Sequence, residues 1–247
     1  MGDHAAASPS SAGMWMACPA SVTLAKGRTR PSSRYAREGT AAHTIAETIL
    51  SGNPVPPAKI TVESEQFIVG LPMLRALTPY IDMVECLREL GATVHIEKRV
   101  AVKRSGGWVW GTTDCAAAWR DVLDIVDLKF GKGVPVKPDT AQLKIYACAS
   151  IDTLFPGTSF KTIRLTVCQP RIDPEPQTHE MDGADLAYWR STELTPAIDR
   201  INRGDTSEVY GSWCRWCVRR DECSAYKSHK NANAAEIFDD GLDTLSL

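Results

Sequence analysis

Gly111-Thr112-Thr113-Asp114, followed by Val122-Leu123-Asp124-Ile125-Val126-Asp127-Leu128-Lys129, is the stretch whose reading decides the fold. The second segment reads as a strand, because aliphatic and β-branched residues dominate it and Phe130-Gly131-Lys132-Gly133 punctuates its end. Asp127 and Lys129 are two residues apart, so the strand period points both to one face. Residues 114–119 can pair back on this strand as a hairpin through Arg120 and Asp121, which brings Asp114 beside Asp127. Two neighbouring carboxylates repel unless a cation lies between them. With a lysine alongside, they suit a hard divalent ion and an activated water. The plainer alternative is an exposed strand end carrying a surface ion pair.

Further motifs lie on either side. Arg37-Glu38-Gly39-Thr40-Ala41-Ala42-His43 precedes the strand, and Gln142-Leu143-Lys144-Ile145-Tyr146 follows it. In this order the set resembles the RecB-like branch of the PD-(D/E)xK nuclease superfamily, over roughly residues 15 to 226. It is most similar to phage-encoded RecB-like exonucleases, and also to the AddB nuclease domain and CRISPR-adaptation nucleases. One departure is that Gly-Thr-Thr, not proline, precedes Asp114. The resemblance implies an α/β fold with a restriction-endonuclease-like core, a central mixed β-sheet flanked by helices. It implies Mg²⁺ or Mn²⁺ held by His43, Asp114, Asp127 and the Leu128 carbonyl. Catalysis would fall to Asp114, Asp127 and Lys129, with Gln142 and Tyr146 in support. Lys129 would orient or help deprotonate the attacking water and offset charge in the transition state.

The bulk numbers bound this reading. The chain of 247 residues is 43% hydrophobic and 23% charged, values of one ordinary globular domain. No apolar run approaches the ~18 residues of a membrane span, and no basic, then apolar leader opens the chain, so no membrane partner is expected and the setting is intracellular. The phage-like resemblance places it in a bacterial host cytoplasm. A formal charge of −2 excludes a generic nucleic-acid coat but not a local basic surface. No G-x-x-x-x-G-K-[ST] motif occurs, so the chain encodes no ATP-driven motor.

Along the chain, residues 1–13 are rich in Ala and Ser and read as disordered, with a single domain over 14–226. Lys26, Arg28, Arg30, Arg34 and Arg37 form a basic approach to a helix from about Arg34 to Leu50. Arg34, Arg37, Glu38, Lys132 and Lys137 are candidate DNA contacts, against the commoner alternative of a solvated face. A helical region is expected from Ser64 to Leu90, broken or kinked at Pro72 and Pro79. Thr93 to Lys103 alternates as a strand; Glu97 within it reads better as a cross-strand ion pair than as part of the metal site. Ser105-Gly106-Gly107 turns the chain back. Asp139 or Thr140 caps a helix to about Ile151, a strand spans Phe160 to Pro170, and a helix runs from about Gly183 to Asn202. Residues 227–247 read as an acidic, flexible tail, able to dock a partner such as a single-strand annealing protein.

Eight cysteines in an intracellular chain favour metal ligands and buried thiols over disulfides. Cys214, Cys217 and Cys223 lie in a polar, arginine-rich segment where core packing does not explain them. They are one ligand short of a tetrahedral set, and Cys18, before Pro19, is the natural fourth. One early and three late cysteines also match the iron–sulfur members of the RecB-like branch, implying a [4Fe–4S] cluster in a terminal subdomain. Zn²⁺ needs the same four thiolates and remains the alternative. Cys86, Cys115, Cys148 and Cys168 read as core thiols, and Trp213 and Trp216 as shields of the cluster. The expected activity is metal-dependent DNA hydrolysis, acting on ends or single strands in phage recombination, replication or repair. The rivals are a DNA-binding or scaffold protein with a decayed site, and a zinc-stabilised interaction module.

Overall fold

The computed structural model describes residues 5–25, 27–28, 31–53 and 56–232. Two short helices, α1 (Ala12–Trp15) and α2 (Ala20–Thr23), precede the long α3 (Arg34–Leu50). A small hairpin, β1 (Lys59–Val62) and β2 (Glu65–Ile68), leads into α4 (Leu71–Glu89). Then come β3 (Thr93–Ala101), β4 (Trp110–Trp119), β5 (Val122–Leu128), α5 (Ala141–Thr153), β6 (Thr162–Cys168) and β7 (Gln177–Asp182). A helix closes the described core as α6 (Gly183–Trp189) and α7 (Thr195–Asn202), joined by a π-helical stretch, Arg190–Leu194.

The chain is a mixed α/β structure around a five-stranded sheet ordered β3-β4-β5-β6-β7. Every neighbouring pair is antiparallel except β5 and β6, which run parallel and are linked through α5. A parallel pair needs such a crossover, and covering both faces buries the central strand. All seven residues of β5 are buried, Asp124 and Asp127 included. On one face α3 and α4 pack Ala42, Ile45, Leu77 and Val84 against Cys115, Val126 and Leu128. On the other, α5 and the closing helices pack Leu143, Ile145, Leu194 and Ile198 against Leu123, Ile125 and Leu165.

Several expectations change here. Residues 5–13 are packed, because Ala7, Ala12 and Trp15 are fully buried and the Ala7 amide donates to the Trp108 carbonyl. Residues 1–4 lie outside the described set. Residues 64–70 are not helical: Ile60 and Phe67 pair across β1 and β2 and bury the same face, an alternation that a helical period cannot supply. Pro72 sits in the first turn of α4, where its missing N–H costs nothing. Pro79 is absorbed inside a helix that continues to Glu89. The tail begins helically, over 224–232, and 233–247 lie outside the described residues. Cys115, Cys148 and Cys168 are buried as expected, whereas Cys86 is exposed on α4. Among the described residues no helix is long and apolar enough to cross a membrane.

Candidate functional site

Sheet register assembles the site. Cys115 pairs with Val126, so the next step along the β4–β5 ladder sets Asp114 opposite Asp127. Ile96 pairs with Cys115 and Lys98 with Thr113, which sets Glu97 opposite Asp114. Three carboxylates therefore form a row across β3, β4 and β5. His43, two turns into α3, closes over that row. Its Nδ1 lies 3.1 Å from Glu97 Oε1 and 3.4 Å from Asp114 Oδ1, and its Nε2 lies 3.1 Å from the Leu128 carbonyl. The Leu128 amide donates to Asp114 Oδ2 at 2.7 Å, which fixes the carboxylate at the strand end.

Asp127 faces the other partners. Lys129 Nζ lies 2.9 Å from its Oδ2, and Gln142 Nε2 donates to Oδ1 at 2.9 Å. Gln142 Oε1 is 3.5 Å from the same ammonium, so α5 braces both members of the pair. Tyr146, one turn further along α5, is buried and packs against Gly111; a β-carbon there would stand 3.1 Å from its hydroxyl. Thus His43, Asp114, Asp127, Leu128, Lys129 and Gln142 meet in one place, with Tyr146 behind them.

Glu97 is the residue that strand alternation alone undervalued. Instead of a cross-strand ion pair it joins His43 and Asp114, and these three supply the one group of ligand atoms within 4.8 Å of one another among the described residues. Counting outward from the Ser105-Gly106 turn pairs residue 97 with residue 114, so the signal was the hairpin's symmetry. Glu97 also holds a left-handed backbone, φ 48°, a strain on the order of 1 kcal/mol that extended strand residues avoid.

The electrostatics favour a cation. Burial alone would lower the His43 pKa, but Asp114, Glu97 and Asp127 outweigh it and raise it to about 9. Burial raises Asp114 to about 7, opposed by His43 and reinforced by Asp127 and Glu97. Protons thus do part of the work that a metal ion would do. Asp127 Oδ2 is buried and accepts no hydrogen bond, although the ammonium is close. Carboxylates, an imidazole and a carbonyl are the donor set that Mg²⁺ or Mn²⁺ takes, so the residues fit such an ion.

A pH dependence follows. Both pKa values are raised, so protonation stabilises the cation-free protein below the ordinary values, and that stability is lost as pH rises through about 7 and then about 9. A cation must displace the same protons. Mn²⁺ affinity is expected to rise between pH 6.5 and 9, by about tenfold per unit for each proton released. Calorimetric titrations in buffers of different ionisation enthalpy measure this; a pH-independent affinity would contradict it.

The candidate DNA contacts divide. Arg34 pairs with Glu65, and Arg37 with Glu65 and Glu63, so the start of α3 is neutralised by the β1–β2 hairpin. Glu38 turns to Arg171. Lys132 and Lys137 are exposed, and Lys26 and Arg30 lie outside the described residues.

Both ends of the chain meet at the cysteines. Cys18 Sγ accepts from the Val209 amide at 3.3 Å, and Cys214 Sγ from the Gly211 amide at 3.4 Å. Thr23 donates to the Asp205 carbonyl, and Arg28 pairs with Glu222 at 2.7 Å. Cys18, Cys214 and Cys223 are buried and Cys217 half-buried. Among the described residues no three of these sulfurs lie within 4.8 Å of one another. A single tetrahedral zinc would hold them about 3.8 Å apart. Trp213 is half-buried and Trp216 is 63% exposed.

Residues 4–243, nearly the whole chain, match the family described as protein of unknown function (DUF2800). The chain belongs to that family. A solved structure described as "Crystal structure of SSO0001" is 12% identical over 87% of this chain and 96% of that one, with a TM-score of 0.34. A score that low lends no support to a reading of fold or site.

Proposed function

We propose that this DUF2800 protein is a Mg²⁺- or Mn²⁺-dependent DNA nuclease of the RecB-like PD-(D/E)xK kind. The observation that carries the reading is the carboxylate row Glu97, Asp114 and Asp127, met by His43 and the Leu128 carbonyl, with Lys129 beside it. A bound divalent ion supplies Lewis acidity toward the phosphate and makes water a nucleophile near neutral pH. Burial would lower the Lys129 pKa, but Asp127 and Asp114 raise it, so the side chain stays an ammonium at neutral pH. Beside Asp127, Lys129 would orient or help deprotonate the attacking water and offset phosphate charge. Gln142 holds the pair in register, and Tyr146 supports that helix face. Glu97 adds a ligand to the expected set.

The four cysteines are proposed to hold a [4Fe–4S] cluster. Amide donors on two of the sulfurs suit anionic thiolates, and the resemblance to iron–sulfur RecB-like nucleases, with one early and three late cysteines, favours the cluster over zinc.

Attack from ends fits the rest. No helix-turn-helix lies among the described residues, and a formal charge of −2 gives little grip on long duplex. Opening an internal duplex costs ~1–2 kcal/mol for each base-pair step, which frayed ends and single strands avoid. With Mn²⁺, end-labelled linear DNA is expected to shorten progressively while covalently closed circles survive. Rapid conversion of circles to discrete fragments would replace the exonuclease reading with an endonuclease one; no cleavage of any DNA would remove the nuclease reading itself.

A further inference from the structure

Beside the carboxylate row lies a cavity of about 540 Å³ that the reaction does not use. Ile68, Met73 and Ala76 form apolar walls, Phe130 the floor, and Lys132 and Arg171 bring two cations. Its position is set by the same elements as the site. Phe130 directly follows Lys129, and Glu38, also on its lining, precedes His43 by five residues, ~7.5 Å along α3. Arg171 is already committed: it pairs with Glu38 at 3.0 Å, donates to the Phe130 carbonyl and lies over the Phe130 ring. That leaves Lys132 as a cation with no ion pair among the described residues, at the mouth of an apolar recess. Ile68, an apolar side chain of the lining, stands open to solvent at 74% exposure.

We propose that this cavity is a subsite for one unpaired nucleotide of the DNA strand, next to the phosphate at the metal site. The base packs between Ile68 and Met73, and its phosphate pairs with Lys132. The assignment rests on the nuclease reading for its substrate. Its chemistry is that of single-strand grooves, in which apolar surface takes the base and a cation takes the backbone. The lining's one carboxylate, Glu38, is occupied by Arg171, and Lys132 is taken by the phosphate, so no charged group is left to read a base edge. The subsite therefore requires a base without choosing among bases.

The test is a binding measurement in EDTA, where hydrolysis plays no part, so failure of the nuclease reading and failure of the subsite are seen separately. Fluorescence anisotropy compares a labelled oligothymidylate with a strand of equal length whose bases are replaced by abasic sites. The wild-type chain is expected to prefer the base-bearing strand by roughly five- to a hundred-fold. Ile68→Ser, at an exposed position where folding is not at stake, should erase that preference, and Met73→Ser should reduce it. Tyr188→Ser, at an equally exposed aromatic on α6, should leave it intact. Lys132→Ala should weaken both strands by the same factor. Equal wild-type affinity for the two strands, or an Ile68→Ser protein that discriminates as the wild type does, overturns the proposal. So does a strong preference among oligothymidylate, oligoadenylate and oligocytidylate.

Discussion

Lys129→Ala is expected to lower DNA cleavage by roughly 100- to 1,000-fold, the scale on which loss of one preorganised charge near a developing oxyanion is felt. Asp127→Asn should cost at least as much, because it removes a carboxylate from the row while keeping its shape. The choice of asparagine matters. Asp127→Ala would leave the half-buried Lys129 ammonium without its partner, a destabilisation that confuses folding with catalysis. Asparagine keeps an oxygen toward Gln142 and Lys129. Cleavage of a labelled strand is measured beside thermal unfolding of each variant. Wild-type rates for folded Lys129→Ala would remove this residue from the reaction and with it the active-site assignment.

The second large effect concerns the cysteines. Alanine at any one of Cys18, Cys214, Cys217 or Cys223 is expected to abolish the brown colour of anaerobically purified protein and reduce its soluble yield. The four should act as one unit, because each thiolate would hold the proposed cluster. Cys86→Ala should do neither, since that thiol stands exposed on α4, away from these segments. Iron analysis should give roughly four irons per wild-type chain. Stoichiometric zinc without iron would defeat the cluster and leave a zinc clip in its place.

Much of this architecture was legible because adjacent residues constrain one another. The Val122–Leu128 run could only be a buried central strand, and the hairpin through Arg120 and Asp121 set Asp114 beside Asp127. Helix period placed Gln142 and Tyr146 on one face, and Thr140 capped them. What escaped depended on contacts between distant segments. Residues 5–13 look unstructured alone, yet Ala7 and Trp15 complete a core built from strands a hundred residues away. The short β1–β2 hairpin hid behind a helical-looking stretch, because its two apolar positions alternate over only four residues each. Glu97 was visible as an acid in a strand, but its role emerged only when the ladder set it opposite Asp114. The arginines of α3 looked free until the same hairpin supplied carboxylates to them.

The meeting of Cys18 with Val209 has a consequence in time. The Cys18 side chain finds its backbone partner 189 residues downstream, at the Ser207 carbonyl. A ribosome adding roughly 5–20 residues per second takes about 10–40 s to cover that distance. Through that interval the thiol is on the nascent chain with none of its cover yet made. Closing a loop of this length then costs on the order of 5 kcal/mol in chain entropy. The joining of these two segments therefore follows the synthesis of residue 207, and Cys18 waits for that partner.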